Sequence, residues 1–253
     1  MEELSWDARK SIVSSWSLIG SYNTITSISL VYLWLVYHFL PNFMSNRKPY
    51  KLTFIIRCYN IAQTAACLYF LWRAHSVGFS FRNTWKCIGT DGPLTKELME
   101  LNFIQYNFIV LRIIEYIETI FFCLRKKFEQ ASFLHVYHHI STVFILILFL
   151  RLSGGMMETF FGMINMVVHF IMYGYYFLSS FNQFRKFTNI IKPFLTIIQI
   201  TQLTIILGHC IAAVLPGCST IHWLFYLAIF NVIMLLSLFG HFYVKSFIKR
   251  KNN

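Results

Sequence analysis

The sequence predicts an all-α membrane protein with seven transmembrane helices in a single domain, residues 1–253. Hydrophobic residues make up 57% of the chain, and only 13% of its residues are charged, roughly half the share in a soluble domain. Several apolar segments approach the roughly 20 residues that cross a bilayer. Basic residues cluster at the ends of these segments, as they do at the cytosolic ends of membrane spans.

Hydrophobic periodicity and length define seven segments as spans. Their predicted bounds are Ile19–Leu40, Leu52–Trp72, Phe103–Leu124, Phe133–Leu150, Thr159–Phe181, Pro193–Leu215 and His222–Tyr243. The N-terminal residues Met1 to Ser17 are mixed and polar, which is not the pattern of a signal peptide.

The basic residues predict the topology. A net charge of +12 could indicate nucleic acid, but clustering at span ends favours anionic lipid headgroups, so no nucleic-acid partner is expected. The richer side should be cytosolic and should hold the C-terminus. It contains Arg47, Lys48, Lys51, Arg125, Lys126, Lys127, Arg185, Lys186, Lys192, Lys245, Lys249, Arg250 and Lys251.

Two features point to the secretory pathway. The predicted topology leaves Cys87 and Cys218 in non-cytosolic loops, where an oxidising compartment would allow a disulfide between them. Two loop thiols without a bond are the alternative. The ending from Lys249 to Asn253 resembles a dilysine retrieval signal of the endoplasmic reticulum, or it is a basic flank of the last span.

The third predicted span contains four polar residues. Spacings of i, i+3, i+6 and i+7 place them on one face of a helix: Arg112, Glu115, Glu118 and Thr119. Ionisable groups at membrane depth are candidates for a functional site. The alternative for Arg112 and Glu115 is a structural ion pair. Glu118 would then reach another helix.

Three imidazoles open the fourth predicted span. His135, His138 and His139 follow the spacing i, i+3, i+4, which places them on one helical face. Histidine can serve as metal ligand, nucleophile or acid–base group. Membrane di-iron enzymes carry several such boxes and this chain has one, so a di-iron site is poorly supported, although a single ion bound by three or four histidines stays open.

The fifth and sixth predicted spans each carry a polar stripe. The first stripe is Asn165, His169, Tyr173 and Tyr176, and the second is Thr196, Gln199 and Gln202. Tyrosines alone would form an interfacial belt, and glutamines alone would cross-link helices. If the stripes of these spans face one another, they enclose a polar chamber with apolar walls. Such a chamber suits a substrate with a reactive head and a long hydrocarbon tail.

These motifs, in this order, resemble the very-long-chain fatty acid elongase family, condensing enzymes that make 3-oxoacyl-CoA. Two positions depart from the family pattern: Arg112 stands for a lysine and Glu118 for an aspartate. The matching motifs are KxxExxDT at Arg112–Thr119, HxxHH at His135–His139, NxxxHxxMYxYY at Asn165–Tyr176, TxxQxxQ at Thr196–Gln202, Asn46–Pro49, and Phe121–Lys127.

The resemblance implies a fold and an activity. Six of the seven helices would form an inverted barrel around a closed-ended acyl tunnel in the endoplasmic reticulum membrane. The enzyme would condense a long-chain acyl-CoA with malonyl-CoA, with loss of CO2, and would need no metal or other bound cofactor. Other enzymes of the elongation cycle, reductases and a dehydratase, are the expected partners, and a homodimer is left open.

The resemblance also implies residue roles. His138 would be the nucleophile and His169 its partner, while His135 and His139 would orient His138 or transfer protons. Candidate donors to the enolate oxygen are His169, Asn165 and Tyr175. The substrate-binding candidates are Arg112, Glu115, Glu118, Tyr173, Tyr175, Tyr176, Gln199 and Gln202. Candidates for the CoA phosphates, or for simple membrane anchoring, are Arg125, Lys126, Lys127 and Lys192.

Two other functions fit parts of the pattern. A metal-dependent desaturase or hydroxylase of acyl lipids would use the histidine box as a ligand set. A lipid transporter or a receptor would also have seven spans, but the chain shows neither inverted repeats nor Gly/Pro pairs in the middle of spans.

Overall fold

The computed structural model describes residues 6–84, 95–218 and 220–249, and every regular element in these ranges is helical. Two π-helical turns, Leu35–Phe39 and Val244–Ile248, continue α2 and α11. The α-helices are α1 (Trp6–Ser15), α2 (Tyr22–Trp34), α3 (Leu40–Met44), α4 (Thr53–Ser76), α5 (Phe81–Thr84), α6 (Lys96–Ile114), α7 (Tyr116–Leu124), α8 (Phe133–Leu152), α9 (Thr159–Ser179), α10 (Arg185–Ala213) and α11 (His222–Tyr243).

Side-chain oxygens fix where α2 and α6 begin. The Ser21 hydroxyl accepts from the N–H of Asn23 at 3.2 Å, at the start of α2. Thr95 caps α6 in the same way through the N–H of Leu98, at 3.2 Å. The first N–H groups of a helix have no partner within the helix, so a serine or threonine at this position stabilises the start, by about 1 kcal/mol.

Six helical segments in the described ranges are long and apolar enough to cross a membrane, which confirms the prediction of an all-α, multi-pass membrane protein. They are Tyr22–Met44, Thr53–Ser76, Phe133–Leu152, Thr159–Ser179, Asn182–Ala213 and His222–Ile248. The main difference from the predicted bounds lies in the sixth predicted span. Its helix begins at Arg185, and Pro193 lies inside it rather than at its start.

The third predicted span differs from the others because its helix is interrupted at Glu115, between α6 and α7. There the N–H of Glu118 donates to the carbonyl of Glu115 at 3.0 Å, three residues back instead of four. α7 is short, and α6 begins with charged residues, so this stretch is not among the six apolar segments. A seventh span and a six-helix barrel around an acyl tunnel therefore stay predictions.

Contacts divide the chain into two compact units. The first comprises Met1–Leu52 with Gly92–Gly154, and the second comprises Thr53–Asp91 with Gly155–Asn253. In the first unit α8 packs against α1 and α6, and α7 packs against α3. In the second unit α9 packs against α4 and α10, and α10 also packs against α11.

The core of the first unit is a single apolar cluster. Ile25 of α2, Ile109 of α6 and Val143 of α8 are among its members, and each is almost fully buried. Burying an aliphatic side chain of this size contributes about 1.5–3 kcal/mol. The cluster therefore stabilises the three helices against one another, on the same face of α8 that carries His139.

In the second unit, Arg57 of α4 joins that helix to the C-terminal end of α9. Its Nε donates to the Ser180 hydroxyl and its Nη2 to the Ser180 carbonyl, both at 2.8 Å. The guanidinium also lies 3.9 Å from the centre of the Phe181 ring. Arg57 was not singled out from the sequence, because its partners become neighbours only when α4 and α9 pack.

Arg9 is a charged residue in a polar segment, and it attaches α1 to the other helices of the first unit. Its side chain is fully buried. Its Nε donates to the Asn102 side chain and its Nη2 to the Leu150 carbonyl, both at 2.6 Å. Asn102 in turn donates to the Gly154 carbonyl at 2.9 Å. Gly154 has a φ of +62°, and a Cβ added there would overlap the guanidinium of Arg9.

We therefore predict that Gly154→Ala weakens the attachment of α1. The new methyl would displace Arg9, and a left-handed backbone is unfavourable for alanine, for a combined cost of about 2–3 kcal/mol. The apparent melting temperature in detergent should fall by roughly 5 °C or more.

The matched control for this substitution is Gly240→Ala in α11, where an added Cβ would meet no atom within 4 Å. Alanine favours a helix over glycine, so this variant should be as stable as the original protein or more stable. Equal melting temperatures for the two variants would contradict the role of Arg9.

Candidate active site

The histidine box lies in the first two turns of α8, and a cap fixes its position. Ser132 precedes the helix in an extended conformation, and its hydroxyl accepts from the N–H of His135 at 3.3 Å. This bond places the cap of α8 three residues before the first imidazole. The three histidines then follow on the face that the spacing predicts.

The ring of His139 lies against the rings of the other two histidines. The ring centres of His135 and His139 are 4.4 Å apart, and those of His138 and His139 are 5.6 Å apart. His139 is the buried member, whereas His135 and His138 are half-buried. The Phe122 ring packs edge-on against His135, with 5.2 Å between the ring centres.

α7 supplies the polar partners of this box. The Nε2 atom of His135 lies 3.0 Å from the Thr119 hydroxyl. One ligand atom each from Glu118, His135 and His139 lies within 4.8 Å of the other two. A carboxylate and two imidazoles are ligand types that zinc and iron accept. These three residues are therefore the ones that could hold a metal ion within the described ranges.

Arg112 and Glu115 form a buried ion pair just before this box. Their Nη2 and Oε1 atoms are 2.6 Å apart, and the two side chains are 3% and 1% exposed. The guanidinium lies 4.9 Å from the centre of the Phe108 ring. Arg112 and Glu115 thus form the structural ion pair that was one of the two alternatives. Substrate binding by either residue stays a prediction. Glu118, the third charged residue of the motif, is also buried.

The basic residues after α7 end that helix. Lys126 has a left-handed backbone with φ of +55°. The N–H of Lys127 donates to the Phe122 carbonyl at 2.8 Å, and that of Lys126 to the Cys123 carbonyl at 2.9 Å, the bond pattern of a Schellman C-cap. The Lys126 amine also donates to the Ser45 carbonyl at 3.1 Å. Lys126 therefore has a structural role, and CoA binding by Arg125, Lys126 and Lys127 stays a prediction.

In the second unit, α9 carries a polar and aromatic stripe. His169 and Tyr173 are buried, with ring centres 5.6 Å apart. Tyr176 is exposed, and its ring centre lies 6.3 Å from that of Tyr173 and 5.6 Å from that of Tyr175. Asn165, one turn before His169, is half-buried. The spacing predicted this neighbourhood of His169 and Tyr173.

α4 adds residues to this stripe that were not identified from the sequence. The Tyr59 ring lies edge-on to Tyr173, with 6.0 Å between the ring centres. The Gln63 amide donates to the Tyr59 hydroxyl at 2.9 Å, and Gln63 is only 3% exposed. A signal was present, since buried glutamine is rare in an apolar span. It was missed because no recognised motif covers α4.

The predicted residues of α10 lie in different environments. Gln202 is buried and Lys192 is exposed. Gln199 is half-buried, and its amide lies 3.5 Å from the Met172 sulfur of α9, which fits the cross-linking alternative. Cys218 is disulfide-bonded. Its predicted partner Cys87 lies outside the described residues, so the pairing stays a prediction.

The buried ion pair makes a testable prediction about stability. Arg112→Met and Glu115→Gln each leave one buried charge without this counter-charge, which costs about 3–5 kcal/mol. The double variant removes both charges, so its free energy of unfolding should fall by much less than the sum of the single losses. Unfolding in detergent by chemical denaturant measures all three.

A matched control for this cycle is the exposed pair of Asp7 and Lys10, which has the same i, i+3 spacing and a distance of 3.9 Å. Asp7→Asn and Lys10→Met should each change the free energy of unfolding by about 0.5 kcal/mol or less. Strictly additive losses for Arg112 and Glu115 would contradict their pairing.

Comparison with known proteins identifies the family. The GNS1/SUR4 family model (ELO) matches residues 17–253. The chain is 33% identical to very long chain fatty acid elongase 1 of Homo sapiens over 197 residues, which cover 78% of this chain and 71% of that protein. It is 29% identical to elongase 4 of Homo sapiens over 250 residues, covering 98% and 78%. It is 32% identical to elongase F of Drosophila simulans over 231 residues, covering 85% of each. The chain belongs to the GNS1/SUR4 family of fatty acid elongases.

Proposed function

We propose that this protein is the condensing enzyme of fatty acid elongation. It joins a long-chain acyl-CoA to malonyl-CoA, with loss of CO2 and CoA, and forms a 3-oxoacyl-CoA that is two carbons longer. The observation that carries this proposal is the cluster of three imidazoles at the start of α8, an otherwise apolar helix of a chain in the elongase family.

His138 is the nucleophile in this proposal, and the surroundings of the three histidines support the choice. His139 is buried, and the Nε2 of His135 lies within hydrogen-bond distance of Thr119. His138 is half-buried, and its ring lies next to His139. A nucleophile must be reached by the substrate, and half-buried His138 is more accessible than buried His139.

In the first step the neutral imidazole of His138 attacks the thioester carbonyl of the acyl-CoA. A carbon–nitrogen bond forms, the carbon–sulfur bond breaks, and the proton of the imidazole passes to the CoA thiolate. The products are an acyl-imidazole and CoA. Division of the reaction by a covalent intermediate replaces one difficult step by two easier ones.

In the second step malonyl-CoA loses CO2, and the electrons of the broken carbon–carbon bond form an enolate. The enolate carbon attacks the acyl carbonyl, and the imidazole leaves and takes up one proton. His135 and His139 are the proposed orienting or proton-transfer groups. His169, Asn165 and Tyr175 are the proposed donors to the enolate oxygen, since charge that develops in a transition state needs oriented donors.

The apolar surroundings of the box support a covalent intermediate, because an acyl-imidazole is hydrolysed in water. The Phe122 ring packs against His135, and the Tyr116 ring lies edge-on to His139 with 6.0 Å between the ring centres. Such walls limit the access of water, which protects a reactive intermediate.

The wider expectations belong to the same proposal. The protein would lie in the endoplasmic reticulum membrane with its C-terminus in the cytosol, and reductases and a dehydratase would process its product. Seven spans with six helices around a closed-ended acyl tunnel would accommodate the hydrocarbon chain. Lys192 and the basic residues after α7 would contact the CoA phosphates.

A second candidate function is metal-dependent oxidation of acyl lipids, which the ligand set of Glu118, His135 and His139 favours. It would require a stoichiometric metal and molecular oxygen. Elemental analysis of purified protein that has full activity, together with an assay under anaerobic conditions, separates the two functions. A chelator-treated enzyme should keep its condensing activity if the first proposal holds.

We predict that His138→Ala lowers formation of labelled 3-oxoacyl-CoA from acyl-CoA and labelled malonyl-CoA by at least about 1,000-fold. Loss of a covalent nucleophile removes the first step rather than slowing it. The control is His241→Ala, which changes an exposed histidine near the end of α11 and should leave the rate unchanged. A His138→Ala enzyme with more than a tenth of the original rate would contradict the assignment.

A further inference from the structure

Tyr32 of α2 reaches the histidine box through one hydroxyl group. Its phenol oxygen lies 2.6 Å from the Thr119 hydroxyl, which lies 3.0 Å from the Nε2 of His135. Tyr32 is 3% exposed and Thr119 is 0% exposed. The three groups therefore form a hydrogen-bonded chain whose two hydroxyl groups are shielded from water. No sequence motif includes Tyr32.

The chemistry of the three groups gives this chain a direction. A phenol is a stronger hydrogen-bond donor than an aliphatic alcohol, because its proton is more acidic. This difference favours donation by Tyr32 to the oxygen of Thr119. The single proton of the Thr119 hydroxyl then points to the remaining neighbour, Nε2 of His135. A nitrogen that accepts a hydrogen bond cannot carry a proton, so in neutral His135 the proton lies on Nδ1.

We propose that Tyr32 is a positioning residue that fixes the tautomer and the ring orientation of His135 through the Thr119 hydroxyl. The inference deepens the proposed function and rests on it for its kinetic consequences. A hydrogen bond to one nitrogen of a histidine decides what the other nitrogen can do. His135 packs against His139 and His139 against His138, so the orientation of the first ring affects the packing of the nucleophile.

A comparison with Tyr116 shows what is particular to the hydroxyl of Tyr32. Its ring stacks on Tyr32 with 4.2 Å between the ring centres, and the two side chains are similarly buried, 5% against 3% exposed. The hydroxyl of Tyr116, however, interacts with the Ser29 side chain. Of the two stacked phenols, Tyr32 is the one whose hydroxyl bonds to Thr119.

The experiment compares Tyr32→Phe with Tyr106→Phe, each of which removes one phenol oxygen and keeps the ring. The Tyr106 hydroxyl lies 3.2 Å from the Ser17 hydroxyl and not in the histidine box. In Tyr32→Phe we expect kcat for 3-oxoacyl-CoA formation to fall about tenfold, the rate equivalent of one hydrogen bond, with KM for acyl-CoA unchanged. Tyr106→Phe should keep the original kcat. Equal kcat values for these two variants would overturn the proposal.

Substitutions of Thr119 test the relay itself. Thr119→Ser keeps the hydroxyl and should keep most of kcat, whereas Thr119→Val keeps the shape and should lower kcat at least as much as Tyr32→Phe. Because both variants break the same chain, the double variant Tyr32→Phe with Thr119→Val should be no slower than Thr119→Val alone. Multiplicative losses would mean that Tyr32 acts by another route.

A spectroscopic readout separates this proposal from the proposed function. In enzyme labelled with ¹⁵N-histidine, with signals assigned by loss in His135→Asn, Nε2 of His135 should be unprotonated in the original protein. In Tyr32→Phe, Nε2 and Nδ1 should both carry a fraction of the proton. A protonated Nε2 in the original protein would overturn the relay. A correct tautomer in a protein without condensing activity would instead refute only the proposed function.

Discussion

The first unit depends most on two hydrogen bonds of the Thr119 hydroxyl group. This hydroxyl joins Tyr32 of α2 and His135 of α8 to α7, at 2.6 Å and 3.0 Å. A hydrogen bond shielded from water is stronger than one at the surface, and its loss leaves a buried polar group, which costs about 1–3 kcal/mol. Three helices that pack mainly by apolar contacts thus acquire one fixed register relative to one another. That register brings the imidazoles of α8 to the polar end of α7.

Other polar side chains in the spans, and in the helices packed against them, are also held by hydrogen bonds or by an ion pair. Arg112 pairs with Glu115, Arg9 donates to Asn102 and Leu150, and Arg57 donates to Ser180. Each bond offsets the cost of removing a charge from water, and each joins or bends helices at a defined point. The histidine box differs, because half-buried His135 and His138 keep part of their surface accessible. Arg9, Arg112 and Glu115 are enclosed, whereas the box remains within reach of a substrate, as the proposed condensing reaction requires.

Most of what could be predicted came from the spacing of residues along a single helix. The i, i+3, i+4 pattern placed the three imidazoles together, and the pattern of α9 placed His169 beside Tyr173. Arg112 pairs with Glu115, which was the structural alternative for these two residues. The break at Glu115 was not predictable, since the apolar pattern continues through it. Tyr32 and Arg9 were missed because their partners are far away in the chain, so only the packing of helices shows what their polar atoms contact. Gln63 was missed because it lies outside every motif, as does its partner Tyr59 in the same helix.

The central claim is that a histidine of α8 carries the acyl chain during the reaction, and one measurement tests it directly. The purified enzyme is given acyl-CoA without malonyl-CoA, quenched, digested and analysed by mass spectrometry. The account predicts that the peptide containing His138 gains the mass of the acyl group, that the acylated site within it is His138, and that addition of malonyl-CoA before the quench removes the label. An acyl group on another residue, or no acyl group under conditions in which the enzyme turns over, would contradict the account.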